Sequence, residues 1–337
     1  MISISIQKYE NLLSTNFVLQ KPFLVDEVIP TIIDSSTNRL LTMIPSSKEI
    51  KDAVFDLNNN SAPGPDGFGA VFFQTHWEIV NKDVIVVVTQ FFHSGWLPNN
   101  FNANSLILIL KNPNAGTIDQ FRPIALANFK FKIITKVLAD RLAKILPSII
   151  SKEQRGFIRG RNIKDCIDLA SEAVNVLDNK CFGGNIAMKI DISKAFHTLN
   201  WDFLIAVLKK QEGYFKCKRG VKQGDPLSPL LFCIAEEVLS RGITKLVEEG
   251  KVDLISASRN AKIPSHCLYV DDIMVYCKGK MSSLVALKEL FTSYANCSGQ
   301  AINLRKSSIY YGGINHDKLL CIVKFLDFSN GSLPFTF

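Results

Sequence analysis

Two adjacent carboxylates, Asp271 and Asp272, are the residues whose type and setting most directly suggest chemistry. Apolar or aromatic residues fill 268–270 before them and 273–276 after them. Two short β-prone runs around a polar pair predict a β-hairpin with both carboxylates at its tip. Adjacent anions repel each other, so a divalent cation that neutralises them favours this arrangement. The alternative is an Asp-Asp turn between two core strands, because Asp is a common turn residue.

A third carboxylate, Asp191, ends another predicted strand. Within 185–191, alternation puts Ile186, Met188 and Ile190 on one face and Asp191 on the other. Carboxylates on two separate strands would permit two-metal phosphodiester chemistry, including that of a nuclease.

Basic side chains concentrate in 101–164, which holds 12 Lys or Arg against 3 Asp or Glu in a chain of net charge +8. A basic block in a hydrophobic-patterned segment is the footprint expected for a polyanion, most often nucleic acid. Its loop 154–162 combines Arg155, Arg159 and Arg161 with two glycines. Arginine forks suit phosphate oxygens, so these three are candidate nucleic-acid contacts. A solvated helix face is the alternative for the charge excess.

Hydrophobic spacing and boundary signals predict the elements that position these groups. Helices are expected over 46–57, 81–92, 131–146, 228–247 and 283–295, and strands over 105–111, 185–191 and 301–311. Ser46 and Ser228 are the predicted caps of the first and fourth helices. Pro147 should stop the third helix, and Gly242 should interrupt the fourth. On the third helix, the lysines expected largely off the apolar face are Lys132, Lys136 and Lys144.

The composition, with 337 residues, 47% hydrophobic and 21% charged, is ordinary for a folded protein with a sizeable core. No apolar run approaches the ~18 residues of a membrane span, and the N-terminus lacks a signal-peptide pattern. These features predict an intracellular protein, nuclear and/or cytoplasmic, with no membrane association and no predicted protein partner. The eight cysteines are scattered without a C-x-x-C pair, which argues against a zinc site or a disulfide framework.

Seven short motifs stand in one order along the chain. They are APGPDG at 62–67, FRPIAL at 121–126, QRGFIRGR at 154–161, DISKAF at 191–196, QGDPLSP at 223–229, YVDD at 269–272 and INLRKS at 302–307. Together they resemble the reverse transcriptases of LINE-type (non-LTR) retrotransposons, especially those of plants, over about residues 44–337.

The resemblance implies an α+β fold of the right-hand polymerase type, with fingers and palm subdomains, an antiparallel palm sheet packed on helices, and no thumb. The implied division has four parts: a connecting arm (1–45), fingers with an N-terminal extension (46–184), a palm (185–312), and a truncated segment before the absent primer grip and thumb (313–337). The implied function is RNA-directed DNA polymerisation by two-metal nucleotidyl transfer. Its partners would be an RNA template, a DNA primer and deoxynucleoside triphosphates.

Carried over residue by residue, the family's metal ligands match Asp191 and Asp271, with Asp272 as a weaker ligand and the backbone carbonyl of Ile192 as a further oxygen. Mg²⁺ is the implied ion, and Mn²⁺ is a substitute. Asp272 has the alternative of shaping the turn. Lys306 matches a lysine positioned to protonate pyrophosphate, with an ordinary surface lysine as the alternative.

Nucleotide contacts carry over in the same way. Lys111 and Arg122 match the fingers residues that bind the incoming triphosphate. Gln223 and Gly224 match the contact with template and nucleotide, where Gly allows close backbone approach. Phe196 matches the aromatic gate that leaves no room for a 2′-hydroxyl, although an isolated Phe is more often a core residue. A nuclease needs neither the gate nor the triphosphate contacts, which disfavours that alternative.

The chain departs from the family pattern at two positions and in one shortened stretch. Val270 replaces the usual Ala, and a β-branched residue fits a hairpin strand. Lys222 replaces the commoner Arg and loses the fork geometry. Only 11 residues separate Leu208 from Gly220, where the family has a longer stretch with a helix and a further strand. We therefore expect this copy to be inactive, and a non-catalytic remnant that at most binds nucleic acid is the alternative function.

Overall fold

The structure is a computed structural model that describes residues 23–31, 33–117, 120–210, 224–255 and 263–332. Its helices are α1 (Phe23–Val28), α2 (Ser35–Thr42), α3 (Ser47–Asp56), α4 (Ala70–Thr75), α5 (Trp77–Ser94), α6 (Phe129–Ile149), α7 (Ile163–Leu177), α8 (Ala195–Thr198), α9 (Trp201–Lys210), α10 (Ser228–Glu248), α11 (Met281–Ser298) and α12 (His316–Leu326). Its strands are β1 (Asn104–Leu110), β2 (Phe121–Ala127), β3 (Asn185–Asp191), β4 (His266–Tyr269), β5 (Asp272–Lys278), β6 (Ser308–Gly312) and β7 (Ser329–Asn330). This mixture of helices and sheet confirms the predicted α+β class at that level.

The larger sheet has the strand order β4-β5-β3-β6-β7. All of its neighbours pair antiparallel except β6 and β7, which run parallel. Strands β1 and β2 form a separate antiparallel hairpin. The central position of β3 places the strand that ends in Asp191 between β5 and β6.

Strand β3 is buried on both faces, as its apolar alternation predicts. Ile186 and Met188 belong to the main core, which also contains buried residues of α10 and α11. Ala187 faces a second cluster that includes Cys166 and Leu177 of α7. Helices therefore cover both faces of the sheet, which fixes where the end of β3 lies.

Helices α1 and α2 fall in the part of the sequence without a useful periodicity. Their segment buries Val25, Ile29, Ile33 and Leu41 in the main core. Docking against other helices, rather than local sequence preference, accounts for helices this short.

Arg141 of α6 ties this N-terminal part to the core. Its guanidinium donates to both carboxylate oxygens of Glu49, at 2.7 and 2.9 Å. It also donates to the carbonyls of Leu41 and Met43, at 3.1 and 2.6 Å. A buried arginine with this bonding is a structural residue, so it adds nothing to an electrostatic surface for a polyanion.

Several predicted helix boundaries are wrong for local reasons. Helix α6 continues past Pro147 to Ile149, because a proline in the last turn removes only one hydrogen bond near the helix end. Helix α5 begins at Trp77, four residues before the predicted start.

Two predictions about single residues of these helices have different outcomes. Lys132, expected off the apolar face, is 7% exposed, so that expectation is wrong. The cap at Ser46 is confirmed, since its hydroxyl accepts from the Glu49 amide at 3.2 Å.

Helix α10 corrects two further expectations. It runs without interruption through Gly242, where an added Cβ would lie 2.7 Å from a methyl carbon of Leu290 in α11. This glycine permits close helix packing instead of breaking the helix. Ser228 is inside the helix and does not cap it; Asp225 accepts from the Leu227 amide at 2.9 Å.

Beyond β6, the chain forms α12 and then pairs β7 with β6. The predicted strand 301–311 is shorter than expected, because only 308–312 is extended in the sheet. Within the ranges given above, no helix is long and apolar enough to cross a membrane.

Candidate active site

Sheet register brings the three predicted aspartates to one end of the molecule's main sheet. Asp191, the last residue of β3, is the cross-strand partner of Asp272, the first residue of β5. Such partners have Cα atoms about 4.5–5.5 Å apart. Asp272 also pairs with Tyr269, so the turn between β4 and β5 consists of Val270 and Asp271. Of the two carboxylates expected at the tip, only Asp271 is there, and Asp272 belongs to the strand.

The turn itself is a strained element. Val270 has a φ of 60°, in the left-handed region that a β-branched residue rarely adopts. The expectation that Val270 fits a hairpin strand is therefore wrong, because this residue forms the turn. The strain must be offset by contacts that hold the Val270 backbone in place.

Gln154 supplies one such contact. This side chain is 1% exposed, and its Oε1 accepts from the amides of Val270 and Gly156, at 3.1 and 2.8 Å. Two donors on one oxygen fix the orientation of the side-chain amide. The residue before Asp271 is thus fastened to the loop that was predicted to contact nucleic acid.

The backbone of the same loop pairs with β4. The Leu268 amide donates to the Glu153 carbonyl, and the Arg155 amide donates to the Leu268 carbonyl, both at 2.8 Å. A Cβ on Gly156 would lie 2.5 Å from a methyl carbon of Val270 and 2.7 Å from its backbone nitrogen. Only glycine fits this contact, so the loop acts as a support for the turn.

The segment before β6 supports Asp191 from the other side. The Asp191 amide donates to the Ser307 hydroxyl at 3.2 Å, and the Asp191 carbonyl accepts from the Asn303 amide at 2.8 Å. Ile192 forms an isolated antiparallel bridge with Ile302. These bonds bring the exposed Lys306 to the end of β3 that carries Asp191.

The carboxylates influence one another's ionisation. Removal from water raises the pKa of Asp271, the charges of Asp272 and Asp191 raise it further, and Arg122 lowers it. Burial also raises the pKa of Asp272, with Asp191 adding to the rise and Lys189 opposing it. Clustered anions whose ionisation is opposed in this way fit a divalent cation, whose charge would relieve their repulsion. In the described ranges, no three His, Cys, Asp or Glu side chains are already drawn together tightly enough to hold a metal ion.

The β1–β2 hairpin brings predicted nucleotide contacts to the same place. Arg122 is near enough to lower the pKa of Asp271. Burial lowers the pKa of His197 in α8, and the charges of Lys194 and Lys111 lower it further, so Lys111 lies near α8.

Gly224 approaches the same hairpin from the start of α10. It has a φ of 107°, and a Cβ there would lie 3.0 Å from the Ala125 carbonyl oxygen of β2. Its predicted neighbour Gln223 lies outside the described residues. The short connection predicted after Leu208 lies outside them too, from residue 211 onward.

Phe196 of α8 is half-buried. Its ring stacks on Phe232 of α10, with centroids 4.6 Å apart and planes 19° apart. One side of the ring is therefore packed against the core. This contact is compatible with either reading of Phe196, as a gate or as a core residue.

The three predicted nucleic-acid arginines have different surroundings. The Arg161 guanidinium donates to the carbonyls that end α6 and to those of the following loop, namely Pro147, Ile150, Ser151 and Gln154. This geometry argues against the phosphate contact predicted for Arg161 and gives it a structural role. Arg155 pairs with Asp165 at 3.1 Å, whereas Arg159 is exposed.

The count of basic residues in 101–164 overstates the charge available to a partner. Lys132 and Arg141 are buried, and Lys136 lies 2.5 Å from Asp140 and 3.6 Å from Asp56. The exposed basic residues of the segment are Lys111, Arg122, Lys144, Lys152, Arg159 and Lys164.

The geometry agrees with the family to which the sequence is similar. Residues 109–332 match the model of the reverse transcriptases (RNA-dependent DNA polymerases). The chain belongs to the reverse transcriptase family. The matched range contains all three aspartates and begins within β1.

Longer proteins of mobile elements are similar to this reverse transcriptase domain. The transposon TX1 uncharacterized 149 kDa protein of Xenopus laevis is 27% identical, with 89% of this chain and 24% of that protein covered. The Pol polyproteins of the R2 retrotransposable elements of Nasonia vitripennis and Drosophila melanogaster are each 27% identical. Those two alignments cover 58% and 68% of this chain, and 21% and 23% of the polyproteins. The chain thus spans about a quarter or less of the length of these relatives.

Proposed function

We propose that this chain is the RNA-directed DNA polymerase domain of a non-LTR retrotransposon, with 46–184 as fingers and 185–312 as palm. The pairing of Asp191 with Asp272, beside the turn that carries Asp271, is the observation that carries this proposal. Nucleotidyl transfer by two divalent ions requires carboxylates from separate strands at one place. The plant origin suggested by the motifs is part of the same proposal.

The metal ligands would be Asp191 and Asp271, with Asp272 and the Ile192 carbonyl as further oxygens. When bound, Mg²⁺ or Mn²⁺ would lower the charge on the attacking 3′-oxygen and on the leaving pyrophosphate. The protein's own contribution is to hold these oxygens close together at a sheet end that is packed on both faces. Lys306, on the segment bonded to Asp191, would donate a proton to pyrophosphate.

The incoming nucleotide would lie between the β1–β2 hairpin and α8. Lys111 and Arg122 would bind its triphosphate, and Gln223 and Gly224 would approach the template and the base. Arg122 suits this role because its charge already reaches Asp271. The side of the Phe196 ring that faces away from Phe232 would exclude a 2′-hydroxyl and so select deoxynucleotides.

RNA template and DNA primer would contact the exposed basic residues of 101–164. Arg159 keeps the nucleic-acid role predicted for it, because its side chain is exposed. Arg155 would contribute only if its ion pair with Asp165 opens. Phosphate contacts of this kind carry little sequence preference.

A second function, a remnant that binds nucleic acid without catalysis, is favoured by one observation. Helix α9 runs to Lys210, so it uses part of the already short stretch between Leu208 and Gly220. The sequence has 12 residues, 211–222, before the QGDPLSP motif, whereas a further strand together with its crossover needs more than about a dozen residues. We propose that this copy is inactive for that reason.

Primer extension on poly(rA)·oligo(dT) with Mg²⁺ or Mn²⁺ separates the two functions. We expect no product from the chain itself, and synthesis that depends on Asp271 once 209–219 is exchanged for the longer connection of a relative and the thumb of that relative is added after residue 337. Synthesis by the unaltered chain that disappears in Asp271→Asn would contradict the inactivity. If the chain with the exchanged connection binds Mn²⁺ and primer–template but does not extend the primer, the result would favour the non-catalytic remnant.

A further inference from the structure

A chain of buried polar side chains lies behind the candidate site. Glu236 of α10, Tyr294 of α11 and Gln300 just after α11 are each no more than 2% exposed. The Tyr294 hydroxyl lies 2.9 Å from Oε1 of Glu236 and also bonds Oε1 of Gln300. Gln300 Nε2 donates to the Ala195 carbonyl at 3.1 Å. These bonds connect two core helices to the first residue of α8.

The number of protons in this chain determines its direction. A backbone carbonyl only accepts, so the Gln300 amide must turn its NH₂ to Ala195 and its oxygen to Tyr294. That oxygen also only accepts, so it takes the single phenolic proton of Tyr294. The contact between Glu236 and Tyr294 then lacks a proton unless Glu236 supplies it. Glu236 must therefore be a neutral carboxylic acid that donates to the Tyr294 oxygen.

The surroundings of Glu236 support the neutral state independently. Burial is the largest of the effects that raise the pKa of this carboxyl to about 8. The titratable groups that face it are Tyr294 from α11, Asp271 from the β4–β5 turn and Cys233 from its own helix. Its second oxygen, Oε2, has no hydrogen-bond partner among the described residues. An unpartnered oxygen costs a neutral acid much less than it costs a buried carboxylate.

The chain ends at the segment that carries Phe196. Ala195, whose carbonyl accepts from Gln300, directly precedes that residue. Phe232, on which the Phe196 ring stacks, lies one turn before Glu236 on α10. The backbone and the ring of this short segment are thus held by two contacts that both lead back to the same part of α10.

We propose that Glu236, Tyr294 and Gln300 are positioning residues for Phe196, with neutral Glu236 donating to Tyr294, Tyr294 to Gln300 and Gln300 to the Ala195 carbonyl. An ionised Glu236 would instead take the phenolic proton and leave the Gln300 oxygen without a donor. The hold on α8 would then weaken at its first residue. This inference rests on the proposed function only in that Phe196 is taken to meet the nucleotide sugar.

Infrared difference spectroscopy at neutral pH tests the protonation of Glu236 directly. The spectrum of the wild-type chain minus that of Glu236→Gln should contain the C=O stretch of a protonated carboxyl. The same band should shift in Tyr294→Phe, because the acid loses its acceptor. A difference spectrum with carboxylate bands and no protonated-carboxyl band would overturn the inference.

Fluorine NMR of 4-fluorophenylalanine placed at position 196 tests the positioning. Tyr294→Phe and Gln300→Leu should move the resonance, whereas Glu236→Gln should leave it in place because its amide can still donate to Tyr294. Tyr294→Phe keeps the ring that packs edge-on against Phe203, at 5.8 Å and 83°, so the fold is expected to survive.

Ser283→Ala is the matched control for these variants. Ser283 is also buried in α11, and its hydroxyl accepts from the Asp253 amide at 3.2 Å, far along the helix from Tyr294. The resonance should not move in this variant. An unmoved resonance in both Tyr294→Phe and Gln300→Leu, or an equal movement in Ser283→Ala, would overturn the positioning role.

Neither measurement requires polymerase activity. A moved resonance combined with unchanged nucleotide selectivity in Phe196→Val would leave the positioning role intact and remove only the gate. Failure of the inference and failure of the proposed function can therefore be distinguished.

Discussion

At the scale of single residues, the candidate metal ligands owe their placement to neighbours that carry no charge. The side-chain oxygen of Gln154 accepts a hydrogen bond from the Val270 amide, and glycine is the only amino acid that fits at position 156 beside it. Ser307 and Asn303 bond the backbone of Asp191. Such supporting contacts affect metal affinity because they determine where the ligand oxygens lie.

Replacing Gln154 by Leu is expected to weaken Mn²⁺ binding about tenfold or more. The change removes the oxygen that fixes the strained Val270 backbone, so Asp271 would no longer be held in one place. Titration of the chain with Mn²⁺, followed by electron paramagnetic resonance, measures the affinity. Gln74→Leu is the control, since Gln74 donates to the carbonyls of Val54 and Leu57 at the end of α3. Equal affinities in the two variants would show that Gln154 does not position the turn.

Glu236→Gln is expected to change how stability depends on pH. Because the pKa of Glu236 is raised to about 8 from 4.5, the folded state keeps a proton that the unfolded state releases. The resulting stabilisation is fully present below pH 4.5 and is lost progressively as the pH rises to about 8. Relative to the variant, the wild type should lose a few kcal/mol over this window, since one pKa unit corresponds to about 1.4 kcal/mol.

Denaturant unfolding of both proteins across this pH range measures the difference. Glu248→Gln is the control, because Glu248 is an exposed carboxylate of the same helix. A pH-independent difference between wild type and Glu236→Gln would mean that Glu236 is ionised in the folded state.

Phe196→Val should relax the discrimination between deoxy- and ribonucleotides by about tenfold or more, since it removes the ring proposed to fill the space of the 2′-hydroxyl. The measurement is single-nucleotide incorporation by the chain with its connection exchanged, as in the extension test. Phe325→Val, a change in α12, should leave discrimination unaltered. If Phe196→Val also leaves it unaltered, Phe196 is a core residue.

At the scale of elements, the sequence predicts what regular spacing encodes. Strand β3 has the predicted bounds because its alternation is uninterrupted. Helices α1 and α2 were missed because packing against the rest of the core stabilises them. The supporting role of the loop 154–161 was also missed, since a sequence does not tell whether Gln154 or Arg161 faces solvent or a backbone group.

At the scale of elements, the charge of the basic segment 101–164 leads to a prediction about nucleic-acid binding. We expect RNA or DNA duplexes to bind with affinity that falls steeply as salt rises, because binding releases counterions from phosphates. Charge reversal should weaken binding when it is made at the exposed residues Lys152, Arg159 and Lys164. It should have little effect at exposed lysines outside the segment, for which Lys48, Lys51 and Lys82 serve as controls.

Fluorescence anisotropy at several salt concentrations provides these affinities. Arg161 is left unchanged in the experiment, because reversing its charge would disrupt the end of α6. Equal losses from the two sets of substitutions, or a flat response to salt, would contradict a phosphate-binding surface in 101–164.

At the scale of the whole molecule, the motifs predicted the family, whereas the side-chain contacts that support the candidate site could not be predicted from the sequence. Motif order identified Asp191, Asp271 and Asp272 as one group, and the sheet register brings them together. The sequence placed Asp272 at the hairpin tip, because strand pairing determines how many residues the turn contains and the sequence alone does not show that pairing. The net charge of 101–164 was misleading, since buried groups such as Arg141 contribute to the sum but not to the surface.

Mn²⁺ binding to the unaltered chain tests the central claim, that three aspartates form the metal site of a polymerase. Electron paramagnetic resonance should detect bound Mn²⁺ that Mg²⁺ displaces. Binding should be lost in Asp191→Asn and in Asp271→Asn and should be retained in the control Asp253→Asn. Mn²⁺ bound equally well by Asp191→Asn, Asp271→Asn and the wild type would contradict the account.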